Sequence, residues 1–320
     1  MSAAARIAIA ALALAALAPA GAQDVNLPVA VAELEQMLQQ EPVRIINAEI
    51  SRPKAKGDIT LKADVSFGDR PPLKVKLRKS EPGAESFNNV PRYDLAAYEL
   101  QKLFIDPAEY VVPPTSLRMI PLDDFRRYSP DVEPTFRGAS EVLGVLQVWL
   151  SEVKVVADVL DPALFESDAV YARHIGQLNI FTFLIEHGDS NVGNFLLSKA
   201  GEGPRVFSID NGVAFASGES DRGKLWQKLR VKRLPADTVS RLRGVTEAEL
   251  HERLGVLAQW QLQVGRYVPM PLGENLAPNR GVRQKDGVLQ MGLKRSEVAA
   301  VWRQRVRLLQ EVDAGRIATY

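Results

Sequence analysis

Residues Phe183–Phe215 read FLIEHGDSNVGNFLLSKAGEGPRVFSIDNGVAF, and the fold turns on this stretch. An apolar helix end runs into a polar loop, HGDSNVGN. A second apolar run, NFLL, follows, and VFSI then leads to Asp210-Asn211-Gly212. Asp189 and Asn194 form a D-x-x-x-x-N pair, and Asp210 stands sixteen residues after Asn194. The apolar flanks place the loop between buried elements, and VFSI has the character of a buried strand. The same residues also suit an Asx-rich turn beside a hairpin.

Two acids and an amide in this order match what phosphoryl transfer from a nucleotide needs. One carboxylate orients the acceptor hydroxyl, while an amide oxygen and a second carboxylate hold the metal that bridges the phosphates. Protein kinases distribute these roles over a catalytic loop and a D-F-G turn. Here Asp189 takes the first role, Asn194 and Asp210 the second, and His187 stands two places before Asp189.

HGDSNVGNFLL…IDNGVAF resembles the catalytic core of atypical kinases. The similarity extends to phosphatidylinositol 3-/4-kinase-like proteins, HipA-like bacterial proteins and the secretory-pathway casein and xylose kinases. HGDxxxxN is also similar to the aminoglycoside and choline phosphotransferases. The resemblance spans roughly residues 73–215 and implies an α+β, two-lobed, protein-kinase-like fold. A small antiparallel β lobe with one helix would face a mostly helical large lobe. It further implies ATP or another nucleoside triphosphate, Mg²⁺ or Mn²⁺, and a hydroxyl-bearing protein, glycan or lipid as acceptor. A catalytically inactive binding protein of the same fold and a small-molecule phosphotransferase are the competing readings.

Composition narrows the chemistry. The 320 residues hold 40 basic and 39 acidic side chains, so global charge names no partner, nucleic acid included. Cysteine is absent and histidine occurs three times, which leaves a metal to oxygen ligands and so to a hard ion. Residues 1–22 have the form of a signal peptide: Arg6, an apolar run of twelve from Ile7 to Ala18, and Ala20-Gly21-Ala22 as a cleavage site. That run is shorter than the ~20 residues a membrane span needs. The expectation is an exported protein, periplasmic or secreted, that does not span the membrane after cleavage. The remaining chain divides into a small lobe, 23–125, and a large lobe, 126–320.

Within the small lobe a helix is expected over Val29–Leu38 and strands over Val43–Ile50, Asp58–Phe67 and Leu73–Arg78. In the third strand Leu73, Val75 and Leu77 face one way and Lys74, Lys76 and Arg78 the other. The kinase resemblance implies that this strand offers a lysine to the nucleotide phosphates: Lys76, with Lys74 and Lys79 in reserve. Its acidic partner would come from the helix PRYDLAAYELQKLF, Pro91–Phe104. Asp94 is the first candidate; Glu99, about 140° around the helix, is the second. The loop Ser51–Gly57 stands where a phosphate-covering glycine loop belongs, yet it contains Gly57 alone. The pattern further predicts an amphipathic helix over Ser140–Val153, a long helix over Asp168–Glu186 and a helix running through Leu257 and beyond. Residues Pro269–Gly292 read as a loop, and Ser296–Val312 as a final helix. Eight basic residues between Arg222 and Arg243, against Asp237 alone, suggest a basic helical face near the site.

Overall fold

The computed structural model describes residues 25–40, 42–51, 59–86, 89–199, 203–215 and 223–320. The expected signal peptide, the segment Arg52–Gly57 and the short loop Ala216–Arg222 lie outside the described residues. The first half of the chain comprises α1 (Val31–Leu38), β1 (Val43–Ile50), β2 (Thr60–Phe67), β3 (Leu73–Lys79), α2 (Pro91–Gln101), β4 (Thr115–Pro121), α3 (Leu122–Arg126) and β5 (Glu141–Val148). The five strands form one antiparallel sheet in the order β1-β2-β3-β5-β4. Leu61, Val65, Val75, Leu77, Val142 and Leu146 build its core with Leu34 and Leu38 of α1.

Strand β5 overturns the expected helix over Ser140–Val153. All eight of its residues are buried, because it runs between β3 and β4 with both faces covered. A doubly buried strand loses the polar alternation that identifies strands, and its apolar run fits a buried helix equally well. The small-lobe sheet therefore takes a central strand from beyond residue 125, where the sequence reading ended that lobe.

The second half opens with β6 (Val153–Val155), α4 (Pro162–Ser167), α5 (Ala169–Leu184), β7 (Phe195–Ser198) and β8 (Val206–Ser208). The Asp168 carboxylate accepts from the Tyr171 N–H at 2.9 Å and caps α5. Ile175, Leu178, Ile180, Phe181 and Leu184 lie on several sides of this helix and are all buried, so α5 is the central rod of the large lobe. It ends at the HGDSNVGN loop. Next come β9 (Arg233–Leu234), α6 (Ala236–Gly244), α7 (Glu247–Gly255), β10 (Ala258–Gln263), β11 (Arg266–Pro269), β12 (Val282–Lys285), β13 (Val288–Met291), α8 (Arg295–Asp313) and β14 (Ala318–Thr319).

Three further expectations fail. Helix α7 stops at Gly255, and the segment read as a loop contributes to a four-stranded sheet ordered β11-β10-β13-β12. Its hairpins close through Val264-Gly265 and Asp286-Gly287, with positive φ at all four residues. This is the two-residue turn whose twist matches paired strands. The basic stretch is not one helical face either. Arg230 grips Asp158 with two bonds of 2.9 and 2.6 Å, Arg233 meets Glu166 at 3.0 Å, and Arg243 meets Asp313 at 2.7 Å. Among the described residues no helix is long and apolar enough to cross a membrane.

Candidate active site

The loop after α5 is stitched to the turn at Asp210 by backbone bonds. The Gly188 N–H donates to the Val213 carbonyl at 2.8 Å and the Phe215 N–H to the Ile185 carbonyl at 2.5 Å. His187 lies fully buried against Phe195, with ring centroids 5.1 Å apart, and Phe195 in turn rests on Trp226. Its Nδ1 accepts from the Asp189 N–H at 3.3 Å, which leaves the ring proton on Nε2, an atom without a partner among the described residues. Burial pulls the His187 pKa down to about 4, against a weaker upward pull from Asp210. The imidazole is therefore neutral at pH 7 and acts as a brace for the backbone of Asp189.

Asn194 closes the same loop, its Nδ2 donating to the Asp189 carbonyl at 3.0 Å. Its own carbonyl accepts from the Ile209 N–H at 2.8 Å. The β7–β8 pairing, with Phe195 opposite Ser208, brings Asn194 alongside the residue that precedes Asp210. Asp189, Asn194 and Asp210 thus gather at one edge of the large lobe.

Asp210 has a left-handed backbone, φ +61°, so the turn aims its carboxylate in a conformation that its neighbours must hold. Asn211 is buried and its Oδ1 accepts from the Ser208 hydroxyl at 2.8 Å. Gly212 packs so closely on the start of α2 that a Cβ there would come within 2.7 Å of the Asn89 Cα. The Gly212 carbonyl accepts from the Val90 N–H at 3.0 Å, just ahead of α2.

From the small lobe, Lys76 Nζ approaches Asp210 Oδ2 at 3.3 Å, and Arg78 Nη1 donates to Asp210 Oδ1 at 2.7 Å. Arg78 also donates to Asp94 through Nη2 and to Asn89 Oδ1 at 3.2 Å. The partner of Asp94 is therefore Arg78, and the expected Lys76–Asp94 pair is replaced by Lys76–Asp210. Of the four basic residues of β3, Lys79 is buried at the strand's end, while Lys74, Lys76 and Arg78 share one face that runs from solvent into the interior. Lys74 is exposed and meets Asp64 at 3.9 Å, Lys76 is half-buried, and Arg78 is buried under α2. Aspartate is short, and the forked guanidinium reaches it while also holding Asp210. Glu99 is not part of this set: it pairs with Lys102 at 2.7 Å, which also binds Glu35 at 2.6 Å. Complete burial pushes the Asp94 carboxyl up from its ordinary value, and Arg78 is the main group pulling it back.

The oxygen donors on hand are the Asn194 side-chain amide and the Asp210 carboxylate, with Asp189 nearby. Among the described residues no cluster of three or more His, Cys, Asp or Glu could enclose a metal alone. A single carboxylate and an amide suit Mg²⁺ or Mn²⁺, which keep waters and take the remaining ligands from phosphates. A small recess lined by Lys76, Arg78, Asp94, Val145 and Gln147 adjoins them. A cavity of about 930 Å³ lies elsewhere, between α2, β4, α7 and β10, and contains none of these catalytic-type side chains. Chemistry, not volume, identifies the cleft.

No protein-family model matches the chain, and no curated protein sequence matches it. Among solved structures the fold is similar to one described as "Crystal structure of the golgi casein kinase". The likeness has a TM-score of 0.52 and 12% identity, over 89% of this chain and 74% of that one. At that identity the likeness establishes architecture: a two-lobed, kinase-like α+β fold.

Proposed function

We propose that the protein is an exported kinase-like phosphotransferase that moves the terminal phosphate of a nucleotide to a hydroxyl on a protein, glycan or lipid. The observation that carries this reading is the Asp210 carboxylate. It meets Lys76 and Arg78 of the small lobe on one side and adjoins the Asp189–Asn194 loop of the large lobe on the other. Lys76 binds nucleotide phosphate, and the Arg78–Asp94 pair ties β3 to α2 so that Lys76 is presented at a fixed height. Asn194 and Asp210 hold Mg²⁺ or Mn²⁺. The bound ion supplies neutralisation of the charge on the phosphates. Asp189 accepts a hydrogen bond from the acceptor hydroxyl and lines it up with the phosphorus, and His187 holds Asp189 from behind. Positioning and charge neutralisation contribute most of the rate.

Nucleotide consumption with Mn²⁺ and panels of casein, glycan, lipid and aminocyclitol acceptors tests this. Asp189→Asn is expected to lower transfer by about 10²–10⁴-fold while keeping the thermal stabilisation that ATP and Mn²⁺ confer. Full turnover in that variant would overturn the assignment.

A second reading, an inactive binding protein, draws on one observation. Both Asp210 oxygens already have protein cations as partners. It predicts stabilisation by nucleotide with no transfer to any acceptor.

A further inference from the structure

Among the described residues Asp210 carries two counter-ions of different character. Arg78 is sealed in, its side chain 4% exposed, and it bonds Asp94 and Asn89 as well as Asp210. Moving it would leave the buried Asp94 carboxylate without its cation, a large penalty. Among the described residues Lys76 makes one ion pair, at 3.3 Å; its side chain is 20% exposed, and its ammonium rides on a flexible four-carbon stem. Asp210 itself has little freedom. Its backbone is left-handed, Asn211 is buried, and Gly212 abuts Asn89. Of the three groups, only Lys76 is built to move.

We propose that Lys76 and a divalent cation are alternative counter-ions for Asp210, so that metal enters only when nucleotide phosphate draws the Lys76 ammonium away. This rests on the phosphotransfer reading above and adds an order of events to it. A dication on Oδ2 would sit within a few ångströms of the ammonium, and like charges at that range in a partly desolvated cleft repel strongly. Nucleotide phosphate relieves the conflict by offering Lys76 a new anion. The protein without nucleotide then keeps its cleft charge-balanced and discriminates against free metal.

Titration of Mn²⁺ into the full chain without nucleotide, followed by loss of the free-ion electron paramagnetic resonance signal, tests the exchange. Wild type is expected to bind weakly. Lys76→Met and Lys76→Gln are expected to bind on the order of tenfold more tightly, as removal of one nearby positive charge implies. Wild type should recover tight binding when a non-hydrolysable ATP analogue is added. Thermal unfolding of both variants checks that they fold, which the partial exposure of Lys76 favours. If both folded variants bind Mn²⁺ no more tightly than wild type, the exchange is wrong. If, with the analogue present, Asp210→Asn binds Mn²⁺ as well as wild type, the metal role of Asp210 fails, and the underlying reading goes with it.

Discussion

Helix α2 presents two buried arginine clusters that look alike and behave differently. On one side Arg92 clasps Glu297 with bonds of 2.5 and 3.0 Å, the Tyr93 hydroxyl donates to the same carboxylate at 2.6 Å, and α2 is thereby fastened to α8. Glu297 also accepts from the Lys294 N–H at 2.7 Å, capping α8. On the other side Arg78 joins Asp94 of α2 to Asp210. The Arg92 cluster also reaches the surface, since Arg92 Nε lies 3.6 Å from Glu85, whose side chain is 42% exposed. The Arg78 cluster ends on a carboxylate that is 19% exposed and shared with a partly exposed lysine. Neither a buried ion pair nor a reachable carboxylate is therefore a mark of a site by itself; what sets the Arg78 cluster apart is that its carboxylate follows Ile209, the residue bonded to Asn194.

The sharpest way to break this comparison is Arg92→Met. It leaves Glu297 buried without its guanidinium, and a loss of about 3–5 kcal/mol in urea unfolding is expected. Nucleotide affinity of the folded fraction should be unchanged. A variant that stayed stable but lost ATP binding would show that the Arg92 cluster belongs to the site. Arg78→Lys comes next, with an expected loss of about 2–3 kcal/mol. An ammonium cannot fork between Asp94 and Asp210, so one charge-assisted bond is left unmade. Here the stabilisation by ATP and Mn²⁺ should fall as well, which separates the two clusters.

The smallest effect concerns His187, which titrates at about 4 when folded and near 6.5 when unfolded. Between those values the unfolded chain binds the proton and the folded chain does not, so stability falls on acidification. The loss should reach about 2 kcal/mol by pH 5. His187→Phe should flatten the melting-temperature profile between pH 6.5 and 4; parallel profiles would mean that the imidazole is not held neutral.

Much of the architecture was legible in the residue pattern. The strands at Val43, Thr60 and Leu73, the helix at Pro91, the long helix into the loop and the final helix appear within a few residues of their expected bounds. Most have one buried face or an apolar run of helical length, and α2 opens on Pro91 at its first turn. Strand β5 was misread because both of its faces are covered. The Asp286-Gly287 hairpin had a visible turn signal that the many prolines and glycines around it obscured. Arg78 was passed over for a related reason: alternation assigns a residue to a face but says nothing about how deep that face lies.

From the linear order alone came the chemical vocabulary: a D-x-x-x-x-N loop, an Asp-Asn-Gly turn, a basic strand, an acidic helix and oxygen ligands in a chain without cysteine. Side-chain type and spacing along one element decide these, because they depend only on local geometry. Which cation meets which acid was decided by the tertiary structure. Sheet twist and helix packing set how far each side chain of β3 stands from Asp94 and Asp210, and over distances of a few ångströms burial and charge change the outcome completely.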